Sequence, residues 1–311
     1  MKIVALAGGV GGAKLIDGLA QLLIPGDLTI IVNTADDFEH LGLYICPDVD
    51  TVCYTLASLA NPETGWGRFG ETFQALENIR NLGGPDWFHI GDKDLATHLE
   101  RTRRLKAGQL LSRITRDFCQ AWGVRHKVLP MSDQLVRTMV ATEEFGELEF
   151  QEYFVHLNCK PKVNGFRFEG VDTAQPAPEV LEAIQNADAV VFCPSNPWVS
   201  IDPVLAVKGL RPALALKTVV AVSPIIGGKT IKGPAAKMFT ELGIQPSAVA
   251  VARHYGSLLS GYVLDIIDAD LASEITIPYN ITQTLMKNRD DRRHLAQDVL
   301  NFIQTLHSRE N

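Results

Sequence analysis

The sequence predicts an α/β protein: a doubly wound, mostly parallel, Rossmann-like sheet carrying a helical insert and a small antiparallel β excursion. Three observations predict it. The apolar run Lys2–Ala7 leads through a glycine-rich turn into a segment with apolar residues at Leu15, Ile16, Leu19, Leu22 and Leu23, the spacing of one helix face. A second apolar run, Leu28–Val32, follows Pro25-Gly26-Asp27, so strand, helix and strand form a βαβ unit with parallel strands and a right-handed crossover. Two later buried runs, Ala187–Cys193 and Thr218–Val222, each end in a loop of small polar residues, as strands do on the ligand face of an open sheet.

The remaining elements follow in order. Helical periodicity dominates residues 51–123, with segments at Thr51–Leu59, Glu71–Leu82, Asp94–Lys106 and Gln109–Trp122, an insert placed over the ligand face. Residues 137–170 read as a β excursion, because polar and apolar residues alternate in Glu147–Phe154. Strands near Tyr262–Ile267 and Glu274–Ile277 and a helix over Asp291–Leu306 complete the plan. Residues 1–311 are read as a single core with these inserts.

Composition narrows the function. A formal net charge of −7, from 36 acidic against 29 basic residues, supplies no general attraction to nucleic acid, so a phosphate ligand needs a local site. The five cysteines have no CxxC pair and no zinc spacing. With an N-terminus that begins as a strand and no apolar run near the ~18 residues of a membrane span, the expectation is a cytoplasmic protein without membrane partners.

Four groups of residues can carry chemistry. In Gly8-Gly9-Val10-Gly11-Gly12-Ala13-Lys14 the glycines permit close backbone approach and the following helix offers free amides to an anion, a phosphate cradle completed by Lys14. The segment matches neither the dinucleotide fingerprint, which wants glycine at Lys14, nor the Walker A pattern, which wants a hydroxyl at Leu15. Asn33-Thr34-Ala35-Asp36-Asp37 ends the second strand, where Asp36 or Asp37 can meet a ribose hydroxyl or a magnesium ion, or else form a solvated turn or cap a short helix. Asp48 and Asp50 stand two apart before a helix; in an extended or turn backbone both reach one Mg²⁺, and either also serves as a helix cap. Asp92, Lys93, Asp94 and His98 form a charged cluster at the start of a predicted helix, with Asp94 and His98 one turn apart, and Asp94 also serves as a cap with His98 as its i,i+4 partner. Ser195, Asn196 and Ser223 add polar groups at strand ends. With no nucleophile elbow and no cysteine paired to a histidine, this is an electrostatic toolkit suited to phosphoryl or phosphodiester transfer.

Seven motifs taken together, Ala7–Lys14, Val32–Asp37, Pro47–Asp50, Ile90–His98, Leu129–Asp133, Pro194–Pro197 and Val222–Gly227, resemble the 2-phospho-L-lactate transferase family, in order and over nearly the whole chain. The resemblance implies a step in making coenzyme F-420. A guanosine-diphosphate-activated phospholactate or phosphoenolpyruvate is joined to the ribityl hydroxyl of the deazaflavin Fo, with GMP as leaving group, Mg²⁺ as metal and a homodimer as the assembly. It implies Asp50 as the catalytic residue, Asp48 and Asp50 at the metal, and Asp50, His89, Asp92, Lys93, Asp94 and His98 near Fo. Gly8, Gly9, Gly11, Gly12, Lys14, Asn33, Asp36, Ser195, Asn196 and Ser223 would face the nucleotide and its phosphates. Two departures stand out: Val10 and Gly12 replace the threonines of the common loop pattern, and Lys93 replaces an arginine. A related family of nucleotide-sugar-binding regulators shares the glycine loop and the Asp-Asp turn and is the rival reading.

Overall fold

The fold was obtained as a computed structural model that describes residues 1–310. β1 (Ile3–Ala7) is buried throughout and sends Ile3, Ala5 and Ala7 to one face of the sheet and Val4 and Leu6 to the other. It passes directly into α1 (Gly9–Leu22) and returns as β2 (Leu28–Val32), paired in parallel with β1 from Ile3↔Leu28 to Ala7↔Val32. A hairpin absent from the sequence reading, Phe38–His40 against Leu43–Ile45, then leads into the insert: α2 (Pro47–Leu56), α3 (Gln74–Asn81), α4 (Asp92–Lys106) and α5 (Leu111–Ala121).

The chain rejoins the sheet as β3 (Lys127–Pro130), β4 (Ala189–Phe192), β5 (Thr218–Val222), β6 (Gly261–Asp265) and β7 (Tyr279–Thr282), and ends in α6 (Arg289–Glu310). The seven strands lie in the order β7-β6-β5-β4-β1-β2-β3, all parallel, which is the predicted doubly wound plan. One apolar layer, built on α1, α2 and α6, covers the face of Ile3 and Ala5; a second covers the face of Val4 and Leu6. Among the described residues no helix is long and apolar enough to cross a membrane.

Two predicted strands fall elsewhere. Of Glu147–Phe154 only Gly146–Glu149 is strand, at the edge of a three-stranded antiparallel sheet with Arg137–Thr142 and Val163–Glu169. The chain then coils into helix because Phe150 and Tyr153, three apart, both bury on one side. Glu274–Ile277 is not a strand either. The carboxylate of Asp265 accepts the Ile267 amide at 3.0 Å and starts a run of 3₁₀ turns to Glu274, so the last strand forms later, after Pro278.

Close approach of α1 to α6 depends on Gly18, where a Cβ would lie 2.0 Å from the Arg292 carbonyl oxygen and 3.0 Å from the Ala296 methyl. Asp17 beside it pairs with Arg292 at 3.1 Å. Gly18→Ala is expected to lower stability by about 1–3 kcal/mol through overpacking, whereas Gly26→Ala, with open space around the site, is expected to be neutral. Urea denaturation of both variants checks the contrast.

Candidate active site

In the sheet order the direction of winding reverses between β1 and β4, and a cavity of about 1080 Å³ opens beyond the carboxyl ends of these two strands. Gly8 follows β1 and Pro194-Ser195-Asn196 follows β4, so both predicted loops meet here because the topology brings them there. Gly8, Gly9, Gly11, Lys14, Asp36, Asp48, Asp50, His89, Asp94, His98, Ser195, Asn196 and Ser223 line the cavity. Gly12, Asn33, Asp92 and Lys93 do not.

The glycine loop is packed more tightly than a phosphate cradle requires. A Cβ on Gly8 would lie 2.4 Å from a carboxylate oxygen of Asp48, one on Gly11 2.3 Å from the Pro194 carbonyl oxygen, and one on Gly12 2.7 Å from the Ala7 methyl and 2.8 Å from Ser195 Oγ. Only Gly9, at φ +63°, is required by backbone conformation. Ser195 Oγ accepts the Gly8 amide at 3.2 Å and donates to the Gly8 carbonyl at 2.8 Å, which locks the loop to the end of β4. Three of the four glycines are therefore demanded by protein neighbours, and their number is not by itself evidence of a ligand. The helix start still offers an anion site: the Val10 and Gly11 amides have no acceptor within α1, and both residues line the cavity.

Asp48 is tied to this loop. Its Oδ1 accepts the Gly9 amide at 2.7 Å and its Oδ2 accepts the Asn33 side-chain amide at 3.0 Å, while Asn33 also donates to the Val199 carbonyl. Burial raises the Asp48 carboxyl to about 6, against the pull of those two hydrogen bonds. Asn33 thus acts through Asp48, from outside the cavity.

Asp50 belongs to a different group. The sequence reading placed Asp48 and Asp50 in an extended or turn backbone; both lie in the first turn of α2, where residues two apart point in different directions. Asp50 and Tyr54, one turn apart on α2, face Asp94, His98 and Arg101 on α4. Arg101 is fully buried and donates from Nη2 to Asp50 Oδ1, its Nη1 lying 3.2 Å from His98 Nδ1. His98 sits between the two carboxylates, with Nδ1 3.7 Å from Asp50 Oδ2 and Nε2 3.4 Å from Asp94 Oδ2. The Tyr54 hydroxyl donates to Asp94 at 2.6 Å. Burial pushes the Asp50 carboxyl up while Arg101 and His98 pull it back. At Asp94 burial is outweighed by His98 and the Tyr54 hydroxyl, which hold that carboxyl low.

Asp50 Oδ2 and Asp36 Oδ1 are buried without a hydrogen-bond partner. Asp36 is raised well above the usual carboxylate range by burial and then by the charges of Asp48 and Asp37. Oxygen-rich, negatively charged and incompletely satisfied, this wall fits a hard divalent cation, and ligand atoms of Asp50, Asp94 and His98 all lie within 4.8 Å of one another.

The other predicted residues have local roles as well. Asp92 accepts the Gln74 and Ala75 amides at 3.1 and 3.0 Å and so caps α3, and Lys93 Nζ donates to the Phe69 carbonyl at 3.0 Å. His89 is exposed at the rim, its ring 6.2 Å from that of Phe73. Asn196 caps the turn after β4 by accepting the Trp198 amide, and Ser223 accepts the Ile225 amide two residues on. Arg101 went unnoticed in the sequence, although Asp94, His98 and Arg101 recur at i, i+4 and i+7, one polar stripe on one helix face. The aromatic wall was missed too: Trp87 stacks on His156 with ring centroids 5.0 Å apart, and both line the cavity beside Phe88 and Trp66.

Comparison with known proteins gives the family. The chain is 48% identical to a phosphoenolpyruvate transferase of Streptomyces griseus, over 98% of this chain and 99% of that protein, and 38% identical to a 2-phospho-L-lactate transferase of Methanopyrus kandleri, over 98% and 99%. A crystal structure of a UPF0052 family member from Bacillus halodurans shares the fold, with a TM-score of 0.64 at 17% identity, covering 96% of this chain and 98% of that one. The family profile described as 2-phospho-L-lactate transferase CofD matches residues 3–305, and the chain belongs to that family.

Proposed function

We propose that this transferase joins a phosphoenolpyruvyl group, from a guanosine-diphosphate-activated donor, to the ribityl hydroxyl of the deazaflavin Fo and releases GMP, a step of coenzyme F-420 biosynthesis. The observation that carries the reading is one cavity with two chemically opposite ends: free helix amides and Lys14 at one, buried carboxylates and an aromatic wall at the other. The first suits a diphosphate, the second a hydroxyl borne on a planar ring system. Phosphoenolpyruvate is favoured over phospholactate because the phosphoenolpyruvate transferase reported above is 48% identical and the phospholactate enzyme 38%. A non-catalytic nucleotide-sugar regulator would have no use for the Asp50–His98–Asp94 cluster at the second end.

In this reading the acceptor oxygen attacks the phosphorus that bears the three-carbon acid, the bond from that phosphorus to the oxygen of GMP breaks, and the hydroxyl proton leaves to a carboxylate. Val10, Gly11 and Lys14 hold the phosphates, and Asp48 fixes the loop that presents them. Arg101 fixes Asp50 through Oδ1, which leaves Oδ2 free for the reaction. Mg²⁺, which the family resemblance implies and the carboxylate wall fits, would be held by Asp50 with Asp94 and His98 and would supply charge neutralisation at the diphosphate.

Asp50→Asn is expected to lower Fo-dependent GMP release by at least about 100-fold while the thermal midpoint holds; full activity would end the assignment. If Asp50 takes the proton, the variant loses the acidic limb of the pH profile; if it holds the metal, the variant needs far more Mg²⁺ instead. Incubation with each activated three-carbon donor, read by product mass, tests the preference for phosphoenolpyruvate.

A second test concerns the carboxylate wall without substrate. Asp48, raised from 3.8 to about 6, binds its proton more tightly in the folded state, so it costs stability as pH rises from 3.8 through about 6 and the cost is complete above that window. Asp50, also raised by burial, must lose its proton before it can help hold a divalent metal, so metal binding weakens as pH falls. Mg²⁺ at 100 times its dissociation constant is expected to contribute about 2.7 kcal/mol at pH 7.5, a rise of roughly 5 °C in melting temperature, and clearly less at pH 5. Calorimetry with Mg²⁺ and with a chelator checks both values.

A further inference from the structure

Two lysines line the cavity, partly buried Lys14 and exposed Lys232. Lys14 and Lys232 are, among the described residues, the only lysine or arginine side chains that line it. Both ammonium groups rest on main-chain carbonyls: Lys14 Nζ donates to Met286 at 2.9 Å and Lys232 Nζ to Thr64. Neither forms an ion pair with a carboxylate among the described residues. A Cβ on Gly65 would lie 3.5 Å from Lys232 Nζ and 2.6 Å from Val10 Cγ1, one helical turn before Lys14 on α1, and burial, Arg292 and Lys232 together hold Lys14 below its ordinary value while Asp291 opposes them. An anion between the two ammonium groups gains charge-assisted hydrogen bonds. The free Val10 and Gly11 amides lie beside them, whereas Asp50 and Asp94 stand apart on α2 and α4.

Lys232 also joins two segments over the glycine loop. Thr64 lies in a tight turn closed by the Asn61 amide on the Gly67 carbonyl at 3.0 Å and by the Gly65 amide on the Asn61 carbonyl at 2.8 Å. Gly65, at φ +77°, touches the tip of the loop: a Cβ there would be 2.6 Å from Val10 Cγ1. An ammonium has three N–H donors, and the Thr64 carbonyl uses one, so Lys232 can hold the turn and a phosphate oxygen at once.

Resting on the reading of this end as the site of a nucleoside-diphosphate donor, we propose that Lys232 binds the donor's phosphates together with Lys14, and that its bond to Thr64 draws the 61–67 turn down over Val10 and the phosphates. Lys232 is then a substrate-binding residue contributed by the loop after β5, remote in sequence from the glycine loop.

GDP is the probe and guanosine the control, with binding followed by calorimetry in wild type, Lys232→Met, Lys232→Arg and Lys14→Met. Lys232→Met keeps the stem and removes the charge. Its GDP dissociation constant is expected to rise roughly tenfold or more, the loss of one charge-assisted contact, with guanosine affinity unchanged and Lys232→Arg close to wild type. GDP should slow amide hydrogen exchange over 61–67 in wild type and fail to do so in Lys232→Met. Unchanged GDP affinity in Lys232→Met beside a weakened Lys14→Met overturns the role of Lys232 and leaves the donor reading standing. Equal weakening of GDP and guanosine overturns it too, as the mark of a merely structural residue. A wild-type protein that binds no GDP overturns the donor reading and this proposal with it.

Discussion

Where β1 ends, the backbone of Gly8, Gly11 and Gly12 is pressed against Asp48, Pro194, Ser195 and Ser200 with no room for a side chain, and the rest of the site is arranged by that contact. It joins the first strand to the loop after β4, whose serine both accepts from and donates to Gly8. It draws the start of α2 onto the loop through the Gly9 amide and Asp48. Because α2 is fixed at Asp48, the next inward position, Asp50, is fixed against α4. A local steric requirement thereby sets the distance between the free amides at the start of α1 and a carboxylate wall.

The electrostatics follow from the same geometry. Asp36, Asp37, Asp48 and Asp50 are all buried, and the fully buried cation near them is Arg101. One guanidinium cannot balance four carboxylates, so the raised carboxyls of Asp36 and Asp48 and the unpartnered oxygens of Asp36 and Asp50 are two signs of one deficit. Under the proposed function, a metal at the carboxylates and a diphosphate at Lys14 would draw binding energy from relieving charge already in place.

The sequence made the sheet legible because βαβ spacing and apolar strand runs are local signals, and the strand ends named the cavity's corners: Gly8, Asp36, Ser195 and Ser223 all reach it. What it obscured were properties set by neighbours distant in the chain. Four glycines in five residues read as room for phosphate, whereas three are required by contacts with residues 7, 48 and 194–200. Asp48 and Asp50 read as a pair because they are adjacent in sequence, and a helical backbone separates them. Leu148, Phe150 and Phe154 keep an alternating pattern, but Tyr153 is out of phase with it, and its burial together with Phe150, three residues earlier, fits a helical turn. Lys232 carried no local signal, since the carbonyl it rests on belongs to Thr64, far away in the chain.

The two departures from the family's common pattern become intelligible in these terms. At position 12 a threonine would drive its Cβ into the Ala7 methyl and into Ser195 Oγ, so Gly12 and the inward placement of Ser195 belong together. The Ser195 hydroxyl stands where a side chain at 12 would be, and it fixes the loop through Gly8, at the cost of one hydroxyl that could have met phosphate. Lys93 is outside the cavity, with its ammonium on the Phe69 carbonyl, so the planar fork of an arginine has no phosphate to grip from there. Both changes are therefore changes in how the scaffold is braced. Under the proposed function the chemistry falls to Asp50, held from behind by Arg101, and to the helix amides that Asp48 and Ser195 hold in place.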